Sequence, residues 1–203
     1  MKRNTVLSMG TLSILIGMLM LGCAEKPMTT LDAADMALKE ARQAGAPDYA
    51  PESFREAETA YQMAQEELAI QDSKFAIMRN YESVEGMLQA VNQEALRAKT
   101  EAVANKERVK SEAQSAMTNA KSRVQEARVI LAKAPMGKGS QADLQALNGD
   151  LQTAESMLVE VDGALVAEDF LGAKAKAQAI ESLAIRVHDE VAHALQKTGK
   201  AKA

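Results

Sequence analysis

The sequence predicts an all-α protein of elongated antiparallel helical hairpins, packed as a coiled-coil-like bundle. Three observations support this class. The chain is rich in Ala, Glu, Gln, Lys and Leu, which are the strongest helix formers. Its apolar residues recur at alternating steps of three and four, the spacing of one helix face. Runs of alternating Val, Ile or Thr bounded by turn residues, which would indicate strands, are absent from the sequence.

Five apolar stripes carry this spacing and predict the faces on which the helices pack. Alanine occupies many of these positions, so we expect close, thin interfaces with little apolar area at each contact. The stripes are Leu31, Ala34, Leu38 and Ala41; Phe54, Ala57, Tyr61, Ala64 and Leu68; Ile77, Tyr81, Val84, Leu88, Val91, Ala95, Ala98 and Ala102; Leu144, Leu147, Leu151, Ala154, Leu158, Val161 and Leu165; and Phe170, Ala173, Ala177, Ile180, Ala184, Val187, Val191 and Ala194.

Capping and turn residues predict where the first two helices begin and end. Thr29 can cap the first helix through its hydroxyl oxygen. Gly45 suits the position after that helix, and Pro47 prevents its continuation. Pro51 suits the first turn of the second helix. Asp72, in the sequence Gln-Asp-Ser, is expected to cap a third helix after a turn.

The third helix is expected from about residue 74 to residue 133. Its middle, residues 99–112, is highly charged and poor in large apolar residues. The sequence leaves open whether this segment is a solvated helix or a break. Two glycines follow Pro135 and predict a turn over residues 135–140. A fourth helix is then expected to about residue 167.

Two further features predict how the helices are grouped. Glu168 and Asp169 are expected to open the fifth helix. A weak internal repeat relates Ala57-Glu58-Thr59 to Ala154-Glu155-Ser156, and Glu40-Ala41-Arg42 to Glu126-Ala127-Arg128. Two three-helix units that share a long central helix would explain the repeat, and so would the alanine-rich composition alone. The predicted ranges are 29–98 for the first unit, 99–134 for the long helix that continues into the second unit, and 135–197 for the second unit.

The N-terminus has the pattern of an export signal. Lys2 and Arg3 precede an uncharged run over residues 11–21. This run is shorter than the roughly 20 apolar residues of a membrane-spanning helix, and it matches the apolar core of a secretory signal. The run ends at Met20-Leu21-Gly22-Cys23, which resembles the lipobox of bacterial lipoproteins.

The lipobox resemblance implies cleavage between Gly22 and Cys23, and attachment of diacylglycerol and palmitate to Cys23. Residues 1–22 would be the signal peptide and residues 23–28 a lipidated tether. The alternative is an ordinary signal peptide followed by a chance cysteine. Cys23 is the only cysteine of the chain, so it has no partner for an internal disulfide. Acylation through two chains would hold the protein stably on a membrane.

The residue after the acylated cysteine indicates which membrane is involved. Gram-negative lipoproteins that stay in the inner membrane carry Asp at that position, whereas this chain has Ala24. We therefore expect the protein on the periplasmic face of the outer membrane.

The charge of the mature chain argues against binding to nucleic acid. The whole chain has a formal net charge of −4, and loss of Lys2 and Arg3 with the signal lowers it to −6. Only the tail, residues 198–203, is locally basic, and a solvated chain end explains it.

The first unit resembles a family of helical envelope lipoproteins, domain of unknown function 4398. The resemblance covers about residues 28–105. It rests on the sequence from Ala41 to Pro51, which contains Ala-Pro-Asp-Tyr-Ala-Pro, and on Phe54, Ala57, Ala60, Ala64 and Asp72. The family supplies no catalytic residues to carry over. Some relatives continue into an OmpA-like peptidoglycan-binding domain, whereas the C-terminal half of this chain is more helix.

No set of residues in the sequence predicts catalysis or a cofactor. His188 and His193 are five residues apart, which places them on different helix faces, whereas a helical zinc site wants a separation of four. Glycine-rich phosphate loops and Gly-x-Ser-x-Gly elbows are absent from the sequence. We therefore expect neither a bound metal nor an enzyme.

Two functions agree with these features. The first is a lipid-anchored structural or interaction protein of the cell envelope, which presents a helical rod to another envelope protein or to the cell wall. The alternative is a periplasmic binding or chaperone-like module that holds a client between helices. An apolar groove for a client should expose several large residues together. The alanine-rich stripes favour the first function.

Overall fold

The structure is a computed structural model that describes residues 25–134 and 141–200, with side chains through residue 197. Within these ranges the chain is helical and has no strand, which confirms the predicted all-α bundle. The elements are α1 (Met28–Gln43), α2 (Ala46–Tyr49), α3 (Pro51–Ser73), a 3₁₀ turn (Ala76–Met78), α4 (Glu82–Leu131), α5 (Gln141–Val166) and α6 (Phe170–Lys200).

The chain divides into two compact units between Val103 and Ala104, inside α4. Unit 1 contains α1, α2, α3 and the first part of α4. Unit 2 contains the rest of α4, then α5 and α6. The predicted turn at residues 135–140, the residues Gly22 and Cys23, and the tail from residue 201 lie outside the described residues.

The core of unit 1 follows the predicted stripes. Every stripe residue from Tyr81 to Ala102 is buried, and so are Phe54 and Ala57 of α3. Leu31 and Tyr61 pack against this core at its edge. Nine of the sixteen buried apolar residues of this core are alanine, and those on the helix faces include Ala34, Ala41, Ala57, Ala64, Ala95, Ala98 and Ala102.

The start of α1 differs from the prediction that Thr29 caps it. The helix begins at Met28 with Pro27 at the cap position, and no side chain caps it. The carbonyl of Pro27 already accepts a hydrogen bond from the Leu31 N–H at 3.0 Å. The first helical turn therefore spans Thr29, which lies inside the helix rather than at its cap.

The connection between α1 and α3 is compact, and Gly45 sets its direction. Gly45 has a φ of +84°, a left-handed conformation that glycine adopts most easily. A side-chain carbon at this position would lie 3.1 Å from the ring of Tyr49. Gly45 follows the end of α1 as expected, and Pro47 lies in the first turn of the short helix α2. Pro51 begins α3 as predicted.

The connection between α3 and α4 also differs from the prediction. The α3 helix continues through Ser73, so Asp72 lies in its last turn and does not cap a helix. The next long helix begins at Glu82 rather than near residue 74. Ile77, assigned to a buried stripe, is 93% exposed. Residues 74–81 form a connection with one 3₁₀ turn, which side-chain hydrogen bonds hold away from helical geometry.

The charged middle of α4 is helical throughout, which answers the question that the sequence left open. The helix has 50 residues without a break. Its apolar face continues through this segment with Ala102 and Val109, both buried. Ion pairs such as Arg108 Nη1 to Glu112 Oε1, at 2.6 Å, connect residues one turn apart along the helix.

Unit 2 repeats the small-residue packing with some larger side chains. Val161, Ile180 and Val187 are fully buried. Asp169 caps α6, because its Oδ1 accepts a hydrogen bond from the Gly172 N–H at 2.9 Å. This agrees with its predicted place at the start of the helix. Four predicted stripe residues are only partly buried, namely Leu144, Leu158, Leu165 and Ala194.

An ion pair supports the internal repeat. Arg42 at the end of α1 pairs with Glu58 of α3 at 2.5 Å. Arg128 at the end of α4 pairs with Glu155 of α5. Both arginines and both glutamates occupy matching positions of the repeat read from the sequence. Composition alone would not place the same pair between matching helices, so the match favours a true structural repeat.

We predict that Phe54→Ala loosens unit 1 selectively. Phe54 is only 5% exposed and is one of the few large residues in an alanine core. Removal of a buried phenylalanine side chain costs about 3–5 kcal/mol, a large part of the stability of a small domain. Amide hydrogen exchange should increase over α1, α3 and the first part of α4. Phe170→Ala, at an equally buried position of unit 2, is the matched control and should affect α5 and α6 instead. Equal loosening of all helices by either variant would contradict two separate units.

Candidate functional site

The acylation site predicted from the sequence borders the described part of the chain. Gly22 and Cys23 lie outside it, and the described residues begin at residue 25. Lys26 follows Cys23 by three residues. Three extended residues span at most about 11 Å. The surroundings of Lys26 therefore show which part of unit 1 would lie next to lipid on Cys23.

An ion pair holds Lys26 against the far end of α3. Its Nζ lies 2.7 Å from Oδ2 of Asp72, in the last turn of that helix. The other carboxylate oxygen of Asp72 accepts a hydrogen bond from the Tyr81 hydroxyl at 2.6 Å. Asp72 thus joins the N-terminal segment, the end of α3 and the residue just before α4. Sequence reasoning selected Asp72, but for a capping role that it does not have.

The connection after Asp72 is fixed by side chains that bond to its backbone. The Arg79 guanidinium donates through Nε to the Lys74 carbonyl at 3.0 Å and through Nη2 to the Asp72 carbonyl at 2.9 Å. The Asn80 N–H donates to Oε1 of Gln71 at 3.1 Å. These bonds tie residues 79 and 80 back to the end of α3. The connection is therefore ordered by its own polar groups and not by burial of its apolar side chains.

Three large apolar side chains of this connection face solvent. Phe75 is 81% exposed, Ile77 is 93% exposed and Met78 is 67% exposed. We call these three residues the apolar tip. The basic residues Lys74 and Arg79 flank it in the sequence. In the sequence, the tip can be identified as a short apolar cluster between two basic residues. The apolar residues of this cluster do not recur at steps of three and four. The periodicity that places Ile77 in a buried stripe conceals this signal.

The electrostatics of this end of unit 1 favour the charged form of Asp72. The ammonium of Lys26, and then the hydroxyl of Tyr81, lower the pKa of the Asp72 carboxyl below its ordinary value. The same hydrogen bond to Asp72 raises the pKa of the Tyr81 hydroxyl. At neutral pH, Asp72 is therefore ionised and able to hold Lys26.

The two histidines do not form a site. His188 lies on α6 with its Nδ1 3.1 Å from Oδ1 of Asp189, and its side chain is 44% exposed. His193 is exposed on the same helix. Among residues 25–134 and 141–200, no group of three or more His, Cys, Asp or Glu side chains is arranged to hold a metal ion.

The described helices do not meet the requirements of a bilayer span. None of them combines the length and the apolar character needed to cross a membrane.

Comparison of the chain with protein-family models, curated proteins and solved structures found no match. The resemblance to domain of unknown function 4398 therefore stays a prediction from the sequence.

We predict that Lys26→Gln raises the pKa of Asp72. The ammonium of Lys26 is the largest cause of its lowered pKa, so removal of that charge should move the value up toward the ordinary 3.8. A group with a lowered pKa stabilises the folded form above its unfolded pKa, and that contribution is lost as the pH falls through the folded pKa. The Lys26–Asp72 contact should therefore persist at neutral pH and break in acid.

Carbon-detected NMR of the Asp72 carboxyl across a pH titration would measure this shift. The matched control is Lys39→Gln, which removes an exposed ion pair with Asp35 on α1. The control should leave the pKa of Asp72 unchanged. An Asp72 titration that does not respond to Lys26→Gln would mean that the ion pair does not form in solution.

Proposed function

We propose that the chain is a lipid-anchored protein of a bacterial cell envelope, acylated on Cys23, which presents helical units for interaction with another envelope component. The observation that carries this proposal is the position of Cys23. It is the only cysteine, and it follows a basic N-terminus and an uncharged apolar run at the position that a lipobox requires. The tether would be short, because α1 begins five residues later, at Met28.

The surface of the described helices supports an interaction role rather than catalysis. Charged side chains of both signs cover the helices and pair across them, as with Lys99 and Glu40 at 2.9 Å. Buried ionisable groups with strongly shifted pKa values typically mark catalytic sites. Apart from the buried Tyr81, whose hydroxyl donates to Asp72, the described groups with shifted pKa values are solvated members of ion pairs, such as Glu112 with Lys174. This arrangement supports the proposal of a structural or scaffolding role.

We further propose that the protein faces the periplasm from the outer membrane. Ala24 follows the acylated cysteine, and it lacks the carboxylate that marks lipoproteins retained in the inner membrane. The acidic mature chain does not suit an anchor made of basic residues alone. Lipid on Cys23 would therefore be the main membrane attachment.

We predict that Cys23→Ala abolishes incorporation of labelled palmitate, because no other thiol is present to accept diacylglycerol. Cells that make the wild-type or the variant chain would be fed radiolabelled palmitate, and the protein would be recovered by immunoprecipitation. Lipoboxes usually have Leu three residues before the cysteine, where this chain has Met20. The matched control is Met20→Leu, which introduces that Leu and should keep the label. Label that persists on the Cys23→Ala chain would disprove acylation at this residue.

We also predict that Ala24→Asp moves the protein from the outer to the inner membrane of a Gram-negative cell. Separation of the two membranes by density, followed by detection of the protein, measures this change. Ala24→Ser, which adds a polar group without a charge, is the control and should leave the protein in the outer membrane. Wild-type protein found in the inner membrane would refute the proposed location.

A further inference from the structure

The apolar tip of unit 1 exposes more apolar surface than its place in the fold requires. Phe75, Ile77 and Met78 occupy three of four consecutive positions, and each is at least 67% exposed. Single exposed apolar residues are ordinary on protein surfaces, whereas a contiguous exposed patch marks a site of interaction with a protein or a membrane. The tip is therefore a candidate binding surface.

The other connection of unit 1 treats its apolar residues in the opposite way. Between α1 and α3, Ala46 and Ala50 are buried, and the Tyr49 ring packs against the core. Both connections join helices of the same small unit. The exposure of the tip is thus a property of that end of the unit and not a general consequence of its thin alanine core.

The tip is also presented on an ordered backbone. Arg79 bonds to the carbonyls of Asp72 and Lys74 on the near side of the tip, and Asn80 bonds to Gln71. The 3₁₀ turn at Ala76–Met78 adds a hydrogen bond from the Met78 N–H to the Phe75 carbonyl at 2.8 Å. A surface that is already ordered loses less conformational entropy when it binds.

The path of the N-terminal segment indicates what the apolar tip binds. The Lys26–Asp72 ion pair brings that segment to the end of α3, directly before the tip. Since Cys23 lies at most about 11 Å of chain away from Lys26, lipid on Cys23 would enter the bilayer next to the tip. Lys74 and Arg79, which border the tip, carry the charge that attracts anionic headgroups.

We propose that the apolar tip inserts into the interface of the same lipid bilayer that holds the acyl chains of Cys23, as a second membrane contact that fixes the orientation of unit 1. This proposal rests on the acylation of Cys23 proposed above. Large apolar side chains next to basic ones are the combination that binds at the headgroup boundary of anionic membranes. The partner is therefore a lipid surface rather than an apolar peptide or a second copy of the chain.

The composition of the chain permits a direct test. The chain has no tryptophan and one cysteine, so Phe75→Trp gives a single fluorescent reporter and Cys23 gives a single coupling site. The mature chain, residues 23–203, would be produced without the signal and coupled through Cys23 to a maleimide phospholipid. It would then be placed in vesicles of phosphatidylethanolamine and phosphatidylglycerol. We expect the tryptophan emission of the Phe75→Trp chain to shift to shorter wavelength and to be quenched by lipids brominated on their acyl chains.

Two matched variants make the readout specific. Met63→Trp places the reporter on α3, at a position that is 55% exposed and about 15 Å along the helix from its end at Ser73. That reporter should show neither the shift nor the quenching. Ile77→Ser with Met78→Ser, in the Phe75→Trp chain, should abolish both effects. Circular dichroism of each variant should match that of the parent, because the substituted side chains are exposed.

The remaining outcomes overturn the proposal. If the emission of the Phe75→Trp chain on the vesicles stays at its value in water, the tip remains outside the bilayer. A shift that appears without vesicles and grows with protein concentration would assign the tip to contact between copies of the chain. Absence of palmitate on Cys23 in cells would overturn the anchor instead. The vesicle assay supplies its own lipid on Cys23, so the two failures are distinguishable.

Discussion

Alanine at the helix interfaces is the constraint on which the rest of the structure depends. Residues such as Ala41, Ala57 and Ala98 are fully buried where the helices meet, and so small a side chain lets the helices approach closely. Each alanine removes little apolar area from water, so each contact stabilises the fold only slightly. Stability must therefore come from long interfaces and from the few larger core residues, such as Phe54 and Leu88. This explains why the helices are long while the core is thin.

Interfaces made mainly of alanine do not define well how neighbouring helices are aligned along their length. Ion pairs between the helices supply this alignment. In unit 1 each pair of long helices is joined by at least one ion pair; in unit 2 the same holds for α4 with α5, α5 with α6 and α4 with α6. Exposed ion pairs stabilise a fold only weakly, so their main effect is to select one alignment over its neighbours. The pairs include Arg42–Glu58, Arg97–Glu56 and Lys99–Glu40 in unit 1, and Arg128–Glu155, Arg186–Asp150 and Lys174–Glu112 in unit 2.

The sequence predicted what depends on local periodicity and failed where side chains override it. The stripe from Tyr81 to Ala102 is buried as predicted, because a step of three and four directly reports a helix face. Extending the stripe back to Ile77 was wrong, since Arg79 and Asn80 bond to the end of α3 and hold the chain out of helical geometry. Those bonds join residues that are seven and nine apart, and no spacing rule anticipates them. For the same reason, the place of Lys26 beside Asp72 was not predicted.

The distribution of charge on unit 1 bears on how it could meet a membrane. A mature chain with an acidic balance is repelled by an anionic surface within about 8–10 Å, the Debye length at physiological salt. Contact along the sides of the helices would bring exposed carboxylates such as Glu52 and Glu66 toward the headgroups. Contact through the end that carries the apolar tip reduces this repulsion. Lys74 and Arg79 border the tip and offset Glu82 and Glu85 in the first turn of α4, and the Asp72 carboxylate is already paired with Lys26. The electrostatics of the unit and the position of the proposed tether therefore favour the same end-on orientation, in which α1, α3 and the first part of α4 would lead away from the lipid.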